Sequence, residues 1–176
     1  MDNLFVADPG PDSPERVRVV VEIPRGSANK FEYDFHLHLF KLARTLYSPL
    51  HYPGDYGFIP GTLAEDGEPL DVLILVREPS FTGCMVEVRP VGMLDTLDMS
   101  ALDRKVLGVP ADNPRFAAMQ SPEDVHAHVR REIEHFFEIY KELEGNRLTI
   151  QGWRGADEAR KAIAESRERY LEKNPA

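Results

Sequence analysis

Cysteine is nearly absent: Cys84 stands alone in 176 residues. An internal disulfide and a cysteine-built zinc site are both excluded, and a reducing, cytoplasmic setting is expected. No apolar run approaches the roughly 20 residues that cross a bilayer. The opening stretch, MDNLFVADPGPDSPER, lacks the basic-then-apolar order of a secretory signal. Basic residues are in the minority, with 21 Lys and Arg against 30 Asp and Glu for a formal net charge of −9. Binding to nucleic acid rests on clustered cations, so neither nucleic acid nor membrane is an expected partner. Several chemical signatures are missing as well: the GxxxxGK[ST] phosphate loop, GxGxxG, the GxSxG elbow and the HExxH zinc helix. The histidines do not make up a ligand set. His36 and His38 would share a strand face, and His128 and His135 a helix face, too few for zinc.

What remains is enough for one domain over residues 1–176, with 42% hydrophobic residues to fill a core. Residues 1–15 carry three prolines and read as an irregular arm. RVRVVVEIP (16–24) is β-branched and ends at a proline, as a strand does. KFEYDF and LHLFKLAR alternate polar and apolar residues like a hairpin with one wet face. SPLHYPGDYGFIPGT (48–62), with three prolines and three glycines, reads as an ordered loop. PLDVLILV (69–76) suits a central strand, CMVEVRPVGML (84–94) another, and KVLGVP and RLTIQGW two more. LDTLDMSALDRK (94–105) reads as an acidic loop between strands. Residues 121–145 read as one helix, with Ser121 as N-cap, Pro122 at the first position and Gly145 as stop. Its apolar stripe is Val125, Val129, Ile133, Phe136, Tyr140 and Leu143. ADEARKAIAESRERYLEK (156–173) is a second helix. Strands first and helices last imply α+β, a small twisted antiparallel β-barrel (OB-like) with two main flanking helices.

The stretch AEDGEPLDVLIL (64–75) carries the chemistry. Glu65, Asp66, Glu68 and Asp71 crowd into seven residues directly before an apolar run. Asp66-Gly67 favours a tight turn and Pro69 stiffens the chain after it, so Asp66, Glu68 and Asp71 are held at the mouth of a strand. Three such carboxylates repel one another without a cation, and Mg²⁺ is the hard cation that carboxylate oxygens suit. Glu65 is expected to stay in solvent. Asp95, Asp98 and Asp103 form a second acidic group. Lys30, Arg44, Tyr52, Tyr56, Tyr140 and Lys141 offer cationic and phenolic groups for phosphate oxygens.

Five ordered segments together resemble the soluble, Mg²⁺-dependent, barrel-fold inorganic pyrophosphatases (family I). They are VVVEIPRGSANKFEYD (19–34), YPGDYGFIPGT (52–62), DGEPLDVL (66–73), RPVGMLDTLDMSALDRKVLGVP (89–110) and HFFEIYKELEG (135–145). The third corresponds to the family's D-G-D-P-x-D-V-L signature, with Glu68 where Asp is usual and so one methylene longer. Where the family often has D-E-x-G-x-D-x-K, this chain reads Asp98-Met99-Ser100-Ala101-Leu102-Asp103-Arg104-Lys105. The resemblance implies hydrolysis of pyrophosphate to two orthophosphates by in-line attack of a metal-activated water. It implies Asp66, Asp71, Asp98 and Asp103 as metal ligands, Glu22 and Glu32 as outer acidic groups, and Glu68 as general base. It places Lys30, Arg44, Tyr56, Tyr140, Lys141 and Lys105 on substrate phosphate, with Tyr52 beside them. Several Mg²⁺ ions per site are implied, with Mn²⁺ or Zn²⁺ as substitutes, and a homohexamer in the cytoplasm.

Overall fold

A computed structural model describes residues 8–175; the first seven residues of the predicted arm lie outside it. Among the described residues the strands are β1 (Val17–Ile23), β2 (Asn29–Asp34), β3 (Leu39–Thr45), β4 (Asp55–Phe58), β5 (Asp71–Ile74), β6 (Met85–Asp98), β7 (Ala101–Pro110) and β8 (Thr149–Arg154). The helices are α1 (Ala127–Ile139) and α2 (Ala156–Lys173).

Five strands close a ring. β1 pairs with β4, β4 with β5, β5 with β7, β7 with β6, and β6 returns to β1. The pairings are antiparallel except β5 with β7, which run parallel. Closure leaves no free edge within the ring. The long strand β6 serves two partners along one edge. Met85–Val88 pairs with β1, and Met93–Leu97 pairs with β8. The register shifts between Pro90 and Gly92, where the missing proline N–H interrupts the ladder. The hairpin β2–β3 is a separate two-stranded sheet, seated on the barrel by Tyr33, Phe35 and Phe40 against Val20 and Phe58.

Strand periodicity sorts the core into two faces. Tyr56, Leu73, Leu94 and Leu107 pack with Ile133, Phe136 and Phe137 of α1. Val72, Ile74 and Val106 pack with Ala159, Ala162 and Ile163 of α2. Both faces of β5 are thus buried, which is why its sequence is an unbroken apolar run after Asp71. The expected second helix matches α2 residue for residue, and its Ala159, Ile163 and Tyr170 are buried.

Three local expectations give way. The loop 48–62 contains β4, because Gly57 lets β4 lie tightly against β1: a Cβ there would stand 1.9 Å from the Val20 carbonyl oxygen. The acidic loop 94–105 is instead the tip of the β6–β7 hairpin. Asp98 pairs with Ala101 across a two-residue turn whose Met99 and Ser100 both have positive φ, 47° and 74°. That turn follows strand twist but disfavours residues bearing a Cβ. The helix 121–145 is broken at both ends. Asp124 accepts from the backbone N–H of Gln120 and Ser121 and closes a separate 3₁₀ turn, Pro122–Asp124. Val125 and His126 are then extended, and the His126 imidazole caps α1 by accepting from the His128 N–H. After Tyr140 the chain tightens into a second 3₁₀ turn, Glu142–Glu144, so Leu143 leaves the stripe and is 64% exposed.

Candidate active site

A cavity of about 500 Å³ opens where the hairpin β2–β3, the acidic turn, the tip of β6–β7 and the end of α1 meet. Its floor comes from the ring. Asp71 at the start of β5 is in register with Lys105 of β7, so the two side chains share a face. Asp103, two residues earlier on β7, shares it too. Lys105 is 3% exposed. Its ammonium donates to both Asp103 oxygens, at 2.8 and 3.0 Å, to Asp71 Oδ2 at 3.2 Å and to the Tyr56 hydroxyl at 2.9 Å. Tyr56 in turn donates to Asp71. Burial pulls the Lys105 pKa down, but Asp71 and Asp103 outweigh it and hold the ammonium firmly protonated. Burial raises the Asp71 pKa; Lys105 opposes the shift and Asp103 adds to it.

Aromatic packing fixes this floor against α1. Tyr52 packs at a tilt against Phe136 with ring centres 4.8 Å apart, and Phe136 stacks on Tyr140 at 5.3 Å. Burial raises the pKa of both Tyr52 and Tyr56, so both remain neutral donors.

The rim carries the remaining predicted residues. Asp66 closes the acidic turn by accepting from the Glu68 N–H at 3.0 Å, and Gly67 takes a φ of +90° that a side chain would resist. The Glu68 carboxyl has a raised pKa, from partial burial first and then from Asp66 and Asp71. A raised pKa makes the ionised carboxylate a stronger base, suited to accept a proton from water. Glu22 accepts from the Tyr33 N–H at 2.7 Å, and burial pushes its carboxyl up to about 8. Lys30 holds Glu32 at 2.6 Å. Asp98 receives Lys141 at 2.6 Å and Asn146 at 2.7 Å. Burial opposes these bonds, but they keep the Asp98 pKa low.

The structure therefore brings Glu22, Lys30, Glu32, Tyr52, Tyr56, Asp66, Glu68, Asp71, Asp98, Asp103, Lys105, Tyr140 and Lys141 to one cavity. Arg44 and Asp95 are exceptions. Asp95 lies off the cavity and accepts from Arg154 Nε at 2.8 Å. Arg44 lies off it too and pairs with Glu144, Nε to Oε1 at 2.8 Å. Glu65 is exposed, as expected, with the Arg104 guanidinium reaching it at 3.3 Å. Sequence reasoning missed Asn146, Glu144 and Arg104. Each acts on a residue 39 to 100 positions away, and no local pattern signals that.

Among the described residues, eight carboxylates line the cavity against five cationic side chains. The donor chemistry fits a hard divalent cation: oxygen ligands in excess, three of them with pKa values raised by burial and crowding. No three acidic, histidine or cysteine groups among the described residues close into a ready-made cage. An ion held here would complete its shell with water and ligand oxygens, as Mg²⁺ commonly does.

A closed barrel whose cavity sets eight carboxylates around a buried lysine defines a protein suited to hold cations and, together with them, a compact anion. The comparisons narrow that class. A family model described as inorganic pyrophosphatase matches residues 19–171, and the chain belongs to that family. It is similar to the inorganic pyrophosphatase of Methanosarcina acetivorans, 48% identical over 156 residues covering 89% of this chain and 93% of that one. It is also similar to that of Geobacillus stearothermophilus, 46% identical over 89% of this chain and 94% of the relative. The crystal structure of inorganic pyrophosphatase from Thermus thermophilus matches with a TM-score of 0.93 at 46% identity, covering 96% of this chain and 99% of that one. The expected α+β barrel holds, with one parallel pairing in the ring.

Proposed function

We propose that the chain hydrolyses inorganic pyrophosphate to two orthophosphates, and that the cavity is where it does so. The observation that carries this reading is the floor cluster: a buried ammonium shared by Asp71, Asp103 and Tyr56, beneath a rim of further acids and lysines. Pyrophosphate is a compact polyanion. An acid-rich cavity admits it only together with cations, which explains why carboxylates and lysines alternate around one space.

Asp66, Asp71, Asp98 and Asp103 would hold Mg²⁺, with Glu22 and Glu32 in the outer shell. Bound there, Mg²⁺ supplies a lowered pKa for attacking water and charge neutralisation on the phosphate oxygens. Glu68 stands on the rim as proton acceptor for that water. Lys30, Lys105, Lys141, Tyr56 and Tyr140 would donate to the phosphate oxygens and stabilise charge as the bridging P–O bond breaks. The new P–O bond forms opposite the leaving phosphate, whose negative charge those cations meet. Tyr52 supports Tyr56 and Tyr140 from the aromatic wall. Arg44 would reach the leaving phosphate from behind the rim.

Phosphate release from pyrophosphate tests the reading. Hydrolysis that requires Mg²⁺ is expected; purified protein that releases no phosphate with Mg²⁺, Mn²⁺ or Zn²⁺ overturns it. The same reading extends to a cytoplasmic homohexamer. Exposed apolar side chains such as Leu39, Phe81 and Met85 suit an interface between copies, and no described helix is long and apolar enough to cross a membrane. A monomer mass by light scattering would overturn the assembly.

A further inference from the structure

We propose that Glu144 is a positioning residue that sets where the Arg44 guanidinium stands, and through it how tightly the site holds a phosphate group. The inference rests on Arg44 being a phosphate binder. Arg44 lies on β3 and Glu144 ends the 3₁₀ turn after α1, a hundred residues later. Their 2.8 Å bond is well covered, with side chains 22% and 21% exposed. An ion pair this shielded, with Nε donating to a carboxylate oxygen, is stronger than an open surface pair.

The location of the bond gives it a role. Lys30 is the direct cross-strand neighbour of Arg44 in the hairpin, and Tyr140 and Lys141 immediately precede the turn that carries Glu144. The bond therefore ties two walls of the cavity that come from distant parts of the chain. Strut and aim are separable, and the orientation of Arg44 favours aim. Only its Nε meets Glu144, while its Nη2 is buried with no hydrogen-bond partner. A buried donor left unmade is costly. A strut gains nothing from that arrangement. An anion-binding group does, because a turn of the guanidinium toward the neighbouring cavity would let a phosphate oxygen complete the donor when substrate arrives. The charge of Arg44 already bears on Glu32 and Tyr52, both in the cavity wall. The guanidinium, held by Glu144, is thus within electrostatic reach of the cavity wall.

Steady-state kinetics, calorimetric binding of imidodiphosphate with Mg²⁺, and melting curves would be compared for Glu144→Ala, Glu144→Gln, Arg44→Ala and the double variant. Glu144→Ala is expected to raise KM and the imidodiphosphate Kd about tenfold, the size of one charged hydrogen bond, with kcat changed less than about twofold. Glu144→Gln keeps an acceptor for Nε and should recover most of the loss. In the Arg44→Ala background, adding Glu144→Ala should do nothing further. Additive effects, or a lower Tm with KM and Kd unchanged, would overturn the proposal and leave Glu144 a strut. Unchanged KM and Kd in Arg44→Ala would remove both the Arg44 assignment and the inference. If the unsubstituted protein proves inactive on pyrophosphate, the Kd series still decides the role of Glu144.

Discussion

At the floor of the cavity Lys105 is 3% exposed and bonds to three partners, all on strands of the closed ring. At the rim Lys30 is 23% exposed on its side chain and meets one carboxylate, Glu32, two residues along its own hairpin strand. Both are lysines facing the same space. The first has given up its water and depends on Asp71 and Asp103 to remain charged, so its chemistry and its contribution to folding cannot be separated. The second keeps much of its water and can turn toward an incoming anion at little cost. A site for a small polyanion uses both kinds: a fixed charge that defines where the anion rests, and adjustable charges that close around it.

The sharpest way to break this contrast is to remove the same charge from each place. Lys105→Met leaves Asp71 and Asp103 buried without a counter-ion, and should cost about 3–5 kcal/mol of stability by denaturant unfolding as well as activity. Lys30→Met should cost under about 1 kcal/mol while still raising KM. Equal stability losses would show that floor and rim are not different in kind. Next in size is Glu68→Gln. If the rim carboxyl is the proton acceptor, kcat should fall about 10²–10⁴-fold, with the melting temperature of the metal-free protein nearly unchanged. An unchanged kcat would move the proton acceptor elsewhere. The smallest effect concerns the turn beside Asp98. Ser100→Gly relieves a positive φ and should stabilise by roughly 0.5–1 kcal/mol in a chemical melt; destabilisation would mean the turn is not strained.

The legibility of the chain follows the same division. The Asp71 side of the floor was readable because its signals are local: an acidic turn stiffened by Pro69 and an apolar run behind it. That Asp103 and Lys105 share a strand was not, because 94–105 reads as a loop until β6 pairs with it. α2 was readable because its apolar positions repeat at helical spacing within an otherwise polar, helix-favouring run. The rim was less so. Met99-Ser100 carries no turn signature, yet β6 and β7 are so extensively paired that the hairpin imposes one. β4 was hidden by neighbouring prolines and glycines whose effect depends on what lies across the sheet. The break in 121–145 falls just after Asp124, where Val125 turns extended; the Ser121–Asp124 capping box that precedes it is the same whether or not a helix continues, so the sequence reads as one helix. Arg44 was placed on phosphate by resemblance, but Glu144, which holds it, belongs to a different part of the chain.

The parallel alignment of Asp71 with Lys105 also bears on how the chain avoids folding wrongly. β5 and β7 are apolar on both faces, so a slip of one residue would still bury hydrophobic side chains and would carry little hydrophobic penalty. The charges make it expensive. In a slipped sheet Lys105 would turn into the layer now filled by Val106, Val72 and Ala159, where no acid awaits it. The pair that centres the candidate chemistry thus also acts as a registration mark, read once, when the barrel closes.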